Sequence, residues 1–124
     1  MASSAVGTSL KEQLADLSKV EGIVAAVVVS RDGFVIEGVN QIAAMDLDGV
    51  GAVISAGMGA SEVMGGELGI GNIAQSMIEF ERGIAVVSVL GEAGTLAIVA
   101  DLKANLGNVR YQIKKRLPAI LAAL

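Results

Sequence analysis

The sequence predicts an α/β domain: a five-stranded antiparallel sheet with helices on both faces, ordered helix-β-β-helix-β-β-β-helix. Three observations predict it. Runs rich in β-branched residues at 23–30, 84–90 and 95–100 are apolar on both alternations, as strands covered on both faces are. Asp32-Gly33, Glu81-Arg82-Gly83 and Gly91-Glu92-Ala93-Gly94 join neighbouring runs by links of hairpin length. Three other segments repeat large apolar residues every three or four positions, the helical period.

Residues 1–8 are small and read as a disordered leader, leaving 9–124 as a single domain. Ser9 followed by Glu12 forms a capping box, and Leu10, Leu14 and Leu17 continue at helical spacing, so the first helix spans 9–20. Gly22 ends it. The strand at 23–30 turns at Arg31-Asp32-Gly33 into a second strand at 34–38. Asp46 then offers a cap for a helix over 46–65, which Gly65-Gly66 closes. A third strand at 73–80 carries Gln75 and Glu79 on one alternation, the mark of a sheet edge. The last helix begins near Asn105, with Leu106, Val109, Ile113, Leu117, Ile120 and Leu124 on one face, and Pro118 should kink or fray its end. Strands two and three carry charge and one, four and five do not. The order that respects this and the hairpins is 2-1-5-4-3, with three helices over its two faces.

The central helix carries two stripes. Leu47, Val50, Ile54 and Met58 form a large one suited to the sheet. Gly51, Ser55 and Gly59 form a small one, with Ala52, Ala56 and Ala60 beside it. A glycine inside a helix costs about 1 kcal/mol relative to Ala, so helix propensity does not select Gly49, Gly51, Gly57 and Gly59. Small residues at this spacing let another backbone approach closely. That backbone belongs either to the helix of a second copy or to a tight fit within the chain; periodicity alone leaves both open.

Composition points to a partner. Hydrophobic residues make up 53% of the chain and 16 glycines add to them, above the roughly 45–50% usual for apolar residues plus glycine. A domain of this size leaves about a third of its unfolded surface exposed, so apolar surface remains for a partner to cover. Gly49 to Ser61 is uncharged but bounded by Asp48 and Glu62, too short for the ~20 residues of a membrane span. With no signal-peptide pattern, a cytoplasmic protein is expected.

Charge is uneven. Residues 1–101 hold 13 acidic side chains against four basic ones, whereas 102–124 hold Lys103, Arg110, Lys114, Lys115 and Arg116 and no acid. An acidic body with two Phe, one Tyr and no Trp lacks the basic groove and stacking surface of a nucleic-acid binder. The basic helix is suited to phosphates or an acidic partner, or is a solvated face.

Chemistry has little to work with. The chain has no His and no Cys, which removes imidazole bases, thiolate nucleophiles and the usual soft metal ligands. Gly69-Ile70-Gly71-Asn72-Ile73-Ala74 matches a dinucleotide fingerprint in form, but a helix precedes it and a strand follows, the reverse of a phosphate site. Asp46 and Asp48 read as a cap and a helix-dipole partner rather than metal ligands. Glu79 and Glu81 read as charges that keep an edge strand soluble. Arg82, in a turn, could reach a partner as an arginine finger would, though a lone turn arginine is ordinarily just solvated. No catalytic residue, cofactor or metal site is assigned, and the chain is not expected to be an enzyme.

Gly22-Ile23-Val24-Ala25-Ala26-Val27-Val28-Val29-Ser30-Arg31-Asp32-Gly33, and Leu96 to Asp101 leading into Asn105-Leu106-Gly107-Asn108-Val109-Arg110, carry a resemblance to the roadblock/dynein light chain family. It covers roughly 9–121 of the sequence, and the element order agrees. Ala25 departs from the glycine frequent at that position. The resemblance implies a profilin-like fold and a two-fold dimer in which third strand and central helix meet their counterparts, joining two sheets into one of ten strands. This agrees with the small stripe and the edge strand, so Gly51, Ser55, Gly59, Ile73, Gln75, Met77 and Glu79 are the expected homodimer interface, with Ala52, Ala56 and Arg82 as possible partner contacts. It also implies a small Ras-like GTPase as partner, with the chain acting as regulator or scaffold. Two other classes stand beside this: a small-molecule sensory domain, disfavoured by faces filled with Ala, Gly and Val and few orienting polar groups, and an assembly subunit with no GTPase.

Overall fold

The computed structural model describes residues 9–42 and 44–124; the leader expected at 1–8 lies outside the described residues. The elements are α1 (Leu10–Ser18), β1 (Ile23–Val29), β2 (Val35–Asn40), α2 (Leu47–Leu68), β3 (Gln75–Phe80), β4 (Gly83–Val89), β5 (Thr95–Ala100) and α3 (Leu106–Ala122). The strands form one antiparallel sheet in the order β2-β1-β5-β4-β3, as expected from the hairpins and the charged edges.

Local chemistry fixes the helix ends. The Ser9 hydroxyl accepts from Glu12 N at 3.1 Å while Ser9 N donates to the Glu12 carboxylate at 3.3 Å, a complete capping box. Asn105 caps α3 by accepting from Asn108 N at 2.9 Å. Two expectations are corrected, the end of α2 and the fraying of α3 after Pro118. Helix α2 does not close at Gly65-Gly66 but runs on to Leu68, because Gly69 takes the left-handed conformation (φ 67°) and lets Ile70 N turn back to Gly65 O. Helix α3 continues through Pro118 to Ala122. Proline removes one donor, but the turns on either side remain bonded and Ile120 beyond it is buried in the core.

The sheet divides the interior unequally. On one face α1 and α3 lie side by side, and Leu14, Leu17, Val109, Ile113 and Ile120 pack on Ala26, Val28, Val86, Leu96 and Ile98. On the other face α2 lies alone over a smaller cluster, Met58, Val87 and Ala97, flanked by Ile54, Ile73 and Val89, with Ala25, Val27 and Val29 of β1 also buried on this side. Half of the molecule is thick with large side chains and half is thin. Among the described residues, no helix is long and apolar enough to cross a membrane.

Candidate protein-docking surface

Helix α2 sits on the thin side, and its small stripe turns toward the chain's own β1–β2 hairpin. A Cβ added at Gly51 would lie 2.9 Å from Gly33 O and 3.0 Å from a methyl of Val35. The Ser55 hydroxyl donates to Arg31 O at 2.8 Å, and two turns further on Arg31 Nη2 donates to both oxygens of Glu62 at 3.2 and 3.3 Å. Of the two readings open from sequence, the structure shows the tight internal fit for Gly51 and Ser55. The stripe lets the hairpin turn dock on the helix. Gly59 has open space around it and, with Ser55, Arg31 and Gly94, lines a cavity of about 210 Å³.

The opposite flank of α2 meets nothing. Val53 is 73% exposed and Met64 59% exposed, and Gly57 between them has no neighbour within 4 Å of where a Cβ would stand. Ala52 and Ala56 are also exposed. Beside this flank the sheet is only partly covered, with Ala85 and Val99 half-buried. Ile78 pairs with Ala85, and Ala85 with Val99, on the face shared with Met58. Ile78 and Phe80 are exposed, and Phe80, Ala85 and Val99 line an open apolar depression of about 660 Å³ with Val24 and Ile42. Arg82 stands at its rim, in the two-residue turn between β3 and β4.

The remaining sequence candidates gather at the sheet edge. Gln75, Met77 and Glu79 lie on β3, whose outer side pairs with no strand among the described residues. Ile73 precedes the strand and packs instead against Met58, Val87 and Ala97. Residues 69–74 connect α2 to β3, so the fingerprint-like glycines serve a helix end and a turn. Asp46 caps α2, accepting from Asp48 N at 3.2 Å. Sequence reasoning missed the partly covered sheet face at Phe80, Ala85 and Val99. The one available signal was that the helix covering it offers only Leu47, Val50, Ile54 and Met58 as large side chains.

The surface therefore offers three adjoining features: an unpaired strand edge, an exposed helix flank and a partly covered apolar sheet face. These are means of binding a macromolecule rather than of transforming a small one. The Roadblock/LC7 domain family matches residues 9–100. Two uncharacterized proteins of Methanocaldococcus jannaschii, MJ0310 and MJ1340, are each 40% identical over 110 residues, spanning 88% of this chain and 94% of theirs. Among solved structures, Myxococcus xanthus MglB superposes with a TM-score of 0.86 at 18% identity, over 91% of this chain and 92% of that one. A structure of MglB with tetrameric arrangement gives 0.83 at 24% identity, over 92% and 86%. At these identities the structural likeness is one of fold. Family match, archaeal relatives and sheet order agree: the chain belongs to the Roadblock/LC7 family.

Proposed function

We propose that this chain is a cytoplasmic, homodimeric protein-binding module that docks a small Ras-like GTPase and acts by favouring one nucleotide state of that partner, without catalytic residues of its own. The observation that carries the reading is the uncovered apolar surface on the α2 side, where Val53, Met64, Ile78 and Phe80 are exposed together with the open β3 edge. Apolar area of this extent, left in water, favours a protein cover.

A second copy is the first cover, through the β3 edge and the free flank of α2, and the tetrameric arrangement of a fold relative supports self-association. The GTPase is the partner class that the family resemblance implies. Regulation then follows from differential affinity: a tenfold preference for one nucleotide state shifts the partner's equilibrium by about 1.4 kcal/mol. Equal affinity for both states would shift nothing.

Light scattering at micromolar concentration tests the dimer. Titration of a small Ras-like GTPase from the same genome, loaded with GDP or with a non-hydrolysable GTP analogue, tests the partner. A dimer that binds one form at least about tenfold more tightly is expected. A monomer, or a dimer indifferent to both forms, overturns the reading. A small molecule retained on native mass spectrometry would instead mark a sensory domain, and a native complex without a GTPase an assembly subunit.

A further inference from the structure

The free edge of the sheet constrains how a second copy can pair with it. Val89 N donates to Ala74 O, and Gln75 through Phe80 pair residue for residue with Ser88 through Gly83. Antiparallel ladders alternate hydrogen-bonded and non-hydrogen-bonded pairs. Ser76, Ile78 and Phe80 therefore direct their main-chain groups to β4, and Gln75, Met77 and Glu79 present theirs to the open edge. The side chains of these three residues stand on the α1/α3 side of the sheet, since Gln75 and Ser88 bond there through their side chains at 3.1 Å.

Resting on the homodimer reading above, a two-fold pairing of β3 strands must match outward groups with outward groups. Only the register centred on Met77 pairs all three residues, Gln75 with Glu79, Met77 with Met77 and Glu79 with Gln75. Shifting the centre by one residue either way leaves two.

The centred register also brings charges together. Above Gln75 lies an open groove between the sheet and α3, floored by Ser88 and Ile113 and rimmed by Arg110, Tyr111 and Lys114. Among the described residues the ion pairs are Lys19–Asp16, Arg31–Glu62 and Arg116–Asp16, and none of these involves Arg110, Lys114 or Glu79. Residues 102–124 contain no acid to pair with Arg110 or Lys114. Along its own strand Glu79 is about 13 Å from Gln75. Across a hydrogen-bonded pair it would be about 5.5 Å away, within reach of a lysine or arginine leaning over the groove. We propose that two copies of this chain join with Met77 on the two-fold axis, which seats Glu79 of each copy in the Arg110–Lys114 groove of the other and fixes the register of the dimer.

The absence of cysteine allows a direct test. Ser76→Cys, Met77→Cys and Ile78→Cys are oxidised separately in dilute solution. Only Met77→Cys places its pair at about 5.5 Å, inside the disulfide range, and it alone is expected to cross-link. Separately, Glu79→Lys and the double variant Arg110→Glu/Lys114→Glu each set like charges against each other. Each should dimerise about tenfold more weakly at low salt. An equimolar mixture restores both ion pairs, and heterodimers are expected at nearly the wild-type affinity. Cross-linking at position 76 or 78 instead, or a mixture no tighter than its parts, overturns the register while leaving a wild-type dimer standing. A monomeric wild type by light scattering overturns the homodimer reading and this inference with it.

Discussion

Two glycines six residues apart on α2, Gly51 and Gly57, should respond to the same substitution with opposite signs. Gly→Ala in a helix interior gains about 1 kcal/mol of helix propensity at either position. At Gly57 nothing lies within 4 Å of the new methyl, so Gly57→Ala should stabilise the fold by about that amount. At Gly51 the methyl would stand 2.9 Å from Gly33 O and 3.0 Å from Val35 Cγ2, with Val29 Cγ1 behind at 3.7 Å. A backbone oxygen at the tip of a hairpin cannot rotate aside as a side-chain end does. The turn must lift off the helix, and the Ser55–Arg31 bond at 2.8 Å opposes that. Overpacking of this kind costs about 1–3 kcal/mol, leaving Gly51→Ala destabilised by up to about 2 kcal/mol after the helical gain. Urea unfolding followed by far-UV circular dichroism, at a concentration low enough that the chain is monomeric, measures both. Equal stabilisation at Gly51 and Gly57 would refute the internal docking of the hairpin on α2.

Ile98→Ala removes a fully buried side chain from the α1/α3 side of β5 and should cost about 2–5 kcal/mol in the same assay. Gly94→Ala should destabilise by about 1–3 kcal/mol, because φ is 138° and a Cβ would run into the Val29 carbonyl; a neutral result by thermal melting would refute that. Met64→Glu lies on the exposed flank of α2 and should leave the unfolding midpoint of the monomer within about 0.5 kcal/mol. The same variant should lower the self-association measured by sedimentation, and unchanged association would remove this flank from the proposed interface.

The sheet was legible because its determinants are local. Asp32-Gly33 and Glu81-Arg82 fix hairpins within a few residues, and a charge such as Glu37 or Glu79 marks an edge wherever the strand goes. The α2 stripe was half legible for the complementary reason. Periodicity says that Gly51, Ser55 and Gly59 share a flank. It does not say what faces the flank, and that depends on Gly33, 18 residues earlier in the chain. The end of α2 failed on a similar ambiguity. Gly65, Gly66 and Gly69 can each terminate a helix, and only the fold shows that Gly69 takes the left-handed turn. The partly covered sheet face was invisible because Ala85 and Val99 look like any buried strand residues. That they are only half-buried is a property of the layer above them.

That layer connects fold to function. A sheet apolar on both faces needs two covers, and α1 with α3 supplies one in full through leucine, isoleucine and valine. The other side receives one helix whose interior includes Gly49, Gly51, Gly57, Gly59, Gly65 and Gly66, and whose buried large side chain is Met58. Four of the six are free of any close steric demand, or meet only a movable side chain: Gly57, Gly59 and Gly66 face open space, and Gly49 meets only the Asp46 carboxylate. Each weakens the isolated helix by about 1 kcal/mol. The hairpin contact accounts for Gly51 and the returning 69–71 loop for Gly65, but no contact among the described residues accounts for the open positions. A glycine facing water is worse than alanine for the monomer. It becomes useful once another surface presses against the helix and needs the missing methyl's room. On the proposed homodimer reading the thin cover and the open glycines are therefore one feature: a second copy would complete the layer on this side of the sheet.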